Sequence, residues 1–205
     1  MTTKDDNGNQ VKESDSITKR TVVNEYDGDN RLSKTTIHEI NSETNKAASI
    51  IQENLYNGNG QRVMKKENDQ STNYFYQDGV VSYTTEGNTD AKVLQNVLGL
   101  EGNVIAAEQK TEDNQTYYLY NKDIQGSSTS VLDETGLGQV SYRYSDFGDT
   151  TIYGDSKNEI CYTSGIYDES TGLYYLNARY YDPENGRFLT QDGLFLGEFY
   201  QRLQL

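Results

Sequence analysis

Several residue types are nearly missing from this chain, and each absence excludes something. There is one cysteine, Cys161, so no internal disulfide can form. The only histidine, His38, lies far from Cys161 in sequence, which leaves no Cys–His pair for nucleophilic catalysis. Cys161 is expected as a buried strand residue and His38 as an exposed one. A single proline, no tryptophan and no long apolar run argue against a membrane-spanning helix. The opening MTTKDDNGNQVKESDSITKR has no apolar core of the kind a signal peptide needs. Basic residues are outnumbered, 18 Lys and Arg against 32 Asp and Glu, for a net charge of −14. Such a chain is repelled by a phosphate backbone and by anionic lipid, so neither nucleic acid nor a membrane is an expected partner.

What is present in excess is tyrosine, with 18 residues, alongside 18 glycines. Apolar content is only 33% and mean hydropathy is −0.88, a combination that also fits disorder. The tyrosines decide against disorder, because they recur at strand-like spacing and bring a large apolar body with a polar tip. One phrase repeats: tyrosine, a small polar residue, a glycine a few positions on, then a β-prone run. It stands at 26–37, 56–66, 76–85, 120–132, 144–153, 167–176 and 181–189, and GLEGNVIAAEQ at 99–109 fills a gap without its tyrosine. Asn-Gly and Asp-Gly pairs supply the positive φ of tight hairpin turns, and alternation as in Val140-Ser141-Tyr142 places aromatics on one face. Arg31, Arg62 and Arg187 follow the turn in three copies, where a guanidinium reaches loop carbonyls.

The fold expected is therefore all-β, a continuous strip of antiparallel hairpins. Residues 1–20 read as a loose polar lead-in, 21–192 as the repeat sheet and 193–205 as a truncated tail. The segment 42–56 begins like a helix cap but is assigned to strand. DGDN at 27–30 lacks the glutamate of a calcium loop and is turn chemistry. No cofactor or metal is expected. A Tyr-, Asn- and Asp-rich β-surface also suits a cell-wall glycan as partner, an alternative to a purely structural role.

The phrases resemble the YD repeats of the Rhs family of toxin shells. GLYYLNARYYDPENGRFLTQD, at 172–192, is similar to the Rhs repeat-associated core signature, and 117–150 to the segment that precedes it. The likeness implies a sheet curled into a hollow shell with an inward-turning C-terminal plug. Its partners would be the rest of the shell and a C-terminal toxin domain, in a secreted or cell-surface protein. In that plug Tyr174, Tyr175, Tyr180, Tyr181 and Phe188 pack inward, while Pro183 and Gly186 shape a turn. The family's self-cleavage residues fall on Arg179 and Asp192, expected close enough to bond. The family continues to a second aspartate where this sequence ends at Leu205, so no self-cleavage is expected, and a truncated remnant of the family's aspartyl autoprotease core stands as a further alternative to a structural shell segment. The resemblance also implies a free strand edge near Tyr26 and self-association as salt rises.

Overall fold

The computed structural model describes residues 1–40, 44, 46–111, 114–154 and 158–191. Among these residues there is strand, turn and one 3₁₀ turn, Tyr162–Ser164, with no α-helix. The first fourteen strands are β1 (Thr2–Lys4), β2 (Gln10–Asp15), β3 (Arg20–Tyr26), β4 (Leu32–Ile40), β5 (Ala47–Tyr56), β6 (Arg62–Glu67) and β7 (Gln70–Gln77), then β8 (Val80–Glu86), β9 (Lys92–Leu98), β10 (Val104–Lys110), β11 (Gln115–Lys122), β12 (Ser128–Asp133), β13 (Gly138–Tyr144) and β14 (Thr150–Gly154). They form one antiparallel sheet whose spatial order is the order of the chain. A second sheet holds β15 (Ile166–Asp168), β16 (Leu173–Leu176), β17 (Arg179–Asp182) and β18 (Arg187–Phe188).

The repeated phrase folds through two local devices. The first is the turn. Asp27 Oδ1 accepts the backbone N–H groups of Asp29 and Arg31, and Asn57, Asp123 and Asp133 repeat the pattern two and four residues on. The residue three after the acceptor is left-handed, with φ of +67° at Asn30 and +78° at Gly60. A short side-chain acceptor followed by a residue that tolerates positive φ is therefore the turn's whole requirement.

The second device is the tyrosine. Tyr26, Tyr56, Tyr76 and Tyr144 stand at or next to the ends of β3, β5, β7 and β13, and each hydroxyl donates to the carbonyl that opens the preceding strand. Those carbonyls belong to Gln10, Leu32, Arg62 and Ser128, at 2.8, 2.6, 2.8 and 2.5 Å. Asn24 and Asn54 donate to the same oxygens as Tyr26 and Tyr56. Each tie is expected to contribute about 1 kcal/mol. Tyr26→Phe and Tyr144→Phe, on distant strands, should lower the urea midpoint additively. A double variant no weaker than one single would show that the hydroxyls do not act as separate ties.

The sheet curls. Register shifts mark bulges at Tyr26, Tyr56, Tyr76, between Val104 and Ala106, and at Lys122, and bulges bend and twist the strands that carry them. Strands from both ends of the sheet meet the same plug hairpin. From β2, Gln10 N–H donates to Leu189 O and Glu13 accepts from Asn185; from the turn after β13, Phe147 O accepts from Tyr181 OH. A hollow of about 300 Å³ is lined by Gln10, Val22 and Asn24 at one end and Asp149 at the other. Thirteen strand spacings of ~4.8 Å make an arc of ~62 Å, long enough to wrap one inner layer at the ~10 Å sheet-to-sheet spacing on each side.

The inner sheet fills that space. Successive residues of β16 face opposite walls, as they must in a strand. Tyr174 packs with Val104, Tyr120, Val131 and Tyr142 of the later strands; Tyr175 packs with Leu32, Tyr74 and Val81 of the earlier ones. The core is thus two layers, one on each face of the plug.

Two expectations change. Residues 1–20 are not a loose lead-in, because Asp5 builds the same turn and β2 docks on the plug, leaving Asn9 and Gln10 buried. The strand ending at Tyr26 is no free edge either, since β2 pairs along it. Segment 42–56 contributes β5 from Ala47 onward, while residues 41–43 and 45 lie outside the described residues.

Candidate functional site

The plug is held on the wall by a buried ion cluster. Arg62 opens β6 immediately after its turn, so its side chain points into the shell, where it is fully buried. Asp168 closes β15 and is also fully buried. The Arg62 Nη1 lies 2.5 Å from Asp168 Oδ2 and donates to Tyr180 OH at 2.7 Å. Lys65, the other buried residue of β6, reaches Asp168 Oδ1 at 3.2 Å and Glu159 Oε1 at 2.6 Å. Gln52 of β5 donates to Asp168 Oδ2, and Tyr74 of β7 donates to Glu159. Two cations face two carboxylates, so the cluster carries no net charge. The guanidinium carbon also sits 4.7 Å from the Tyr74 ring and 4.9 Å from that of Tyr175. Those π faces surround the Nε and Nη2 groups that have no hydrogen-bond acceptor.

Burial would raise the Asp168 pKa, but Arg62 and Lys65 outweigh it and hold the carboxyl at about 2. Burial would lower Lys65, yet Asp168 and Glu159 keep it protonated well past its ordinary range. Arg62 is likewise held charged once Asp168 offsets its desolvation. None of these three exchanges a proton near neutrality, so they are poor acids and bases there and good anchors. The sign of the pH effect follows. A depressed carboxyl stabilises the fold fully above its unfolded value of 3.8, and the contribution is lost as pH falls towards about 2. The urea midpoint should therefore drop through that window in the wild type, and Asp168→Asn should flatten the drop. An unchanged acid slope in the variant would contradict the assignment.

The signature residues divide by depth. Tyr174, Tyr175 and Tyr180 are buried, at 0%, 1% and 2% exposure. Tyr174 bonds Thr150, and the Tyr175 hydroxyl accepts from Arg62 N–H and donates to Asn177 O. Pro183 is buried in the turn, and a Cβ on Gly186 (φ +62°) would stand 3.1 Å from Phe147. Tyr181 is half-buried. Phe188 is exposed at 37% rather than packed inward, because it pairs with Tyr181 on the rim side of the two-residue β18. The Arg179 guanidinium carbon stacks 3.8 Å from the Phe188 ring. Asp192 lies outside the described residues, and the expected Arg179–Asp192 bond with it.

Sequence reasoning singled out Arg62 for a loop contact. Arg31 does bond the Asn57 carbonyl, but Arg62 goes to the plug, and Arg187 reaches the Gln10 side chain. Asp168, Lys65, Gln52 and Glu159 were not singled out at all. Asp168 is the aspartate of one repeat phrase, and only the fold shows that its carboxylate turns inward. Cys161 is buried as expected, but it precedes the Tyr162–Ser164 turn instead of lying in a strand, and burial pushes its thiol up to about 12.

A curled YD-type sheet around an inner plug has counterparts. The teneurin YD-shell model matches residues 40–203. The chain belongs to the teneurin YD-shell family. The tRNA nuclease WapA of Bacillus subtilis is 34% identical over 142 residues, which is 67% of this chain and 6% of that protein. Teneurin-1 of Homo sapiens is 30% identical over 152 residues, 71% of this chain and 6% of the relative. The crystal structure of TcdB2-TccC3 superposes with a TM-score of 0.67 at 21% identity, covering 91% of this chain and 10% of that one. A Photorhabdus luminescens Tc holotoxin pore structure gives 0.63 at 19% identity, covering 94% and 12%. The YD shell chain described here thus spans a small fraction of each of these proteins, and the structural likeness is one of fold.

Proposed function

We propose that this chain is a wall-and-plug segment of an Rhs-type YD shell, structural rather than enzymatic, in a secreted or cell-surface toxin-delivery protein. Residues 172–192 act as the repeat-associated core, the part that closes one end of the shell. The observation that carries this reading is the Arg62–Asp168 pair. It joins residues 106 positions apart, is fully buried, and bonds the plug to the wall that encircles it. The toxin itself belongs to the longer protein, as a polypeptide enclosed by the shell. Cargo chemistry then lies outside the segment, whose Arg62, Lys65, Glu159 and Asp168 are occupied in holding the plug.

The test is intact mass after prolonged incubation, run beside proteinase K digestion. The full chain should keep its mass, and the plug should resist digestion until Asp168 is replaced by alanine. Release of a C-terminal peptide that Asp192→Asn abolishes would assign an autoprotease instead. Early digestion of the plug in the unmodified chain would remove the closing role.

A further inference from the structure

We infer that β14 is a docking edge for a second copy of this chain, two β14 strands pairing antiparallel about a two-fold axis centred on Ile152. The sheet has two ends, and they are built differently. β1 is three residues long, has a register shift at Lys4 and carries that lysine. Short length, a bulge and charge are the means by which edges resist pairing. β14 has none of them. Its five residues, Thr-Thr-Ile-Tyr-Gly, hold no charge and no proline, and its ladder with β13 runs without a shift. The chain leaves the sheet after β14 for the plug, so among the described residues no strand pairs with the far side of this strand.

The strand is also complementary to itself. A two-fold at Ile152 sets Ile152 against its copy and Thr151 against Tyr153 of the other chain. An aromatic facing a β-branched residue is a favoured cross-strand pair. Thr151 and Tyr153 are both exposed on the outer face, Tyr153 at 50%. Arg143 already covers one side of the Tyr153 ring at 5.6 Å, which holds the ring over the neighbouring strand. A five-residue contact is small, so association is weak, and two chains of −14 repel each other. Raising salt to about 1 M cuts the screening length to roughly 3 Å and should strengthen it.

The test uses the full chain. Light scattering should show a monomer at low salt and low concentration, moving to dimer as both rise. Thr151→Cys and Tyr153→Cys proteins are then mixed under a mild oxidant, with the buried Cys161 left in place. The predicted register puts the two new thiols opposite each other, while like thiols are offset by two residues, beyond the reach of a disulfide. The mixture should therefore cross-link several-fold more than either variant alone, and more at high salt. Monomer at every salt and concentration would overturn the inference. Equal cross-linking of all three samples would do the same.

Discussion

Replacing Asp168 by alanine is expected to cost about 3–5 kcal/mol, because it leaves Arg62 and much of the Lys65 charge buried without a partner. The loss is not the strength of one bond. Arg62 has no exposure to water through which to recover its hydration, and its other neighbours are tyrosine rings and the Tyr180 hydroxyl. Lys65 keeps Glu159, so the greater share of the cost falls on Arg62. The same reasoning makes a second variant informative. Arg62→Met with Asp168→Leu removes both charges together and should recover a large part of the stability, since a buried pair replaced by apolar groups is often neutral. Urea unfolding measures both, with the midpoint read by tyrosine fluorescence and by circular dichroism to check that one transition is seen. If alanine at 168 cost less than about 1 kcal/mol, the pair would resemble an exposed ion pair and would not anchor the plug.

Tyr174→Ala should be as damaging, at about 3–5 kcal/mol, for a different reason. The ring is fully buried between Tyr162 and Tyr167, at centroid distances of 6.0 and 4.8 Å, and it is the plug's contribution to the layer formed with the later strands. Removing it leaves a cavity between two sheets already bridged by backbone and unable to collapse fully. Tyr174→Phe keeps the ring and loses only the hydroxyl's bond to Thr150, so about 1 kcal/mol is expected. The control is Phe188→Ala at the rim, where a partly exposed ring should cost clearly less. Equal losses at 174 and 188 would mean that the plug is not sandwiched.

The strip of hairpins was legible because its causes are local. Asp27, Asn57 and Asp123 cap turns within five residues of themselves, and alternation along Val140-Ser141-Tyr142 sets the faces. Curling and the inner plug came from the resemblance, not from periodicity, because closure depends on bulges that leave no separate mark in the sequence. The lead-in was misread for a related reason. Asp5 and Gly8 carry the turn chemistry, but no tyrosine stands beside them, and Gln10 is buried only because the plug returns to it from Leu189. The ion cluster was the least legible part. Arg62 and Lys65 look like ordinary strand charges, and Asp168 looks like one more turn aspartate. Their meeting is set by the curl of the sheet and the return of the plug over more than a hundred residues, which spacing within any one phrase does not encode.

The central claim is that wall and plug fold as one unit, with the Arg62–Asp168 pair between them. Amide hydrogen exchange followed by mass spectrometry tests it most directly, comparing peptides from 62–67 and from 166–182. The account predicts that both exchange only through global unfolding in the unmodified chain and lose protection together when Asp168 is replaced by alanine. A plug that exchanges fast while strand 62–67 stays protected, or a variant in which neither region changes, would contradict it.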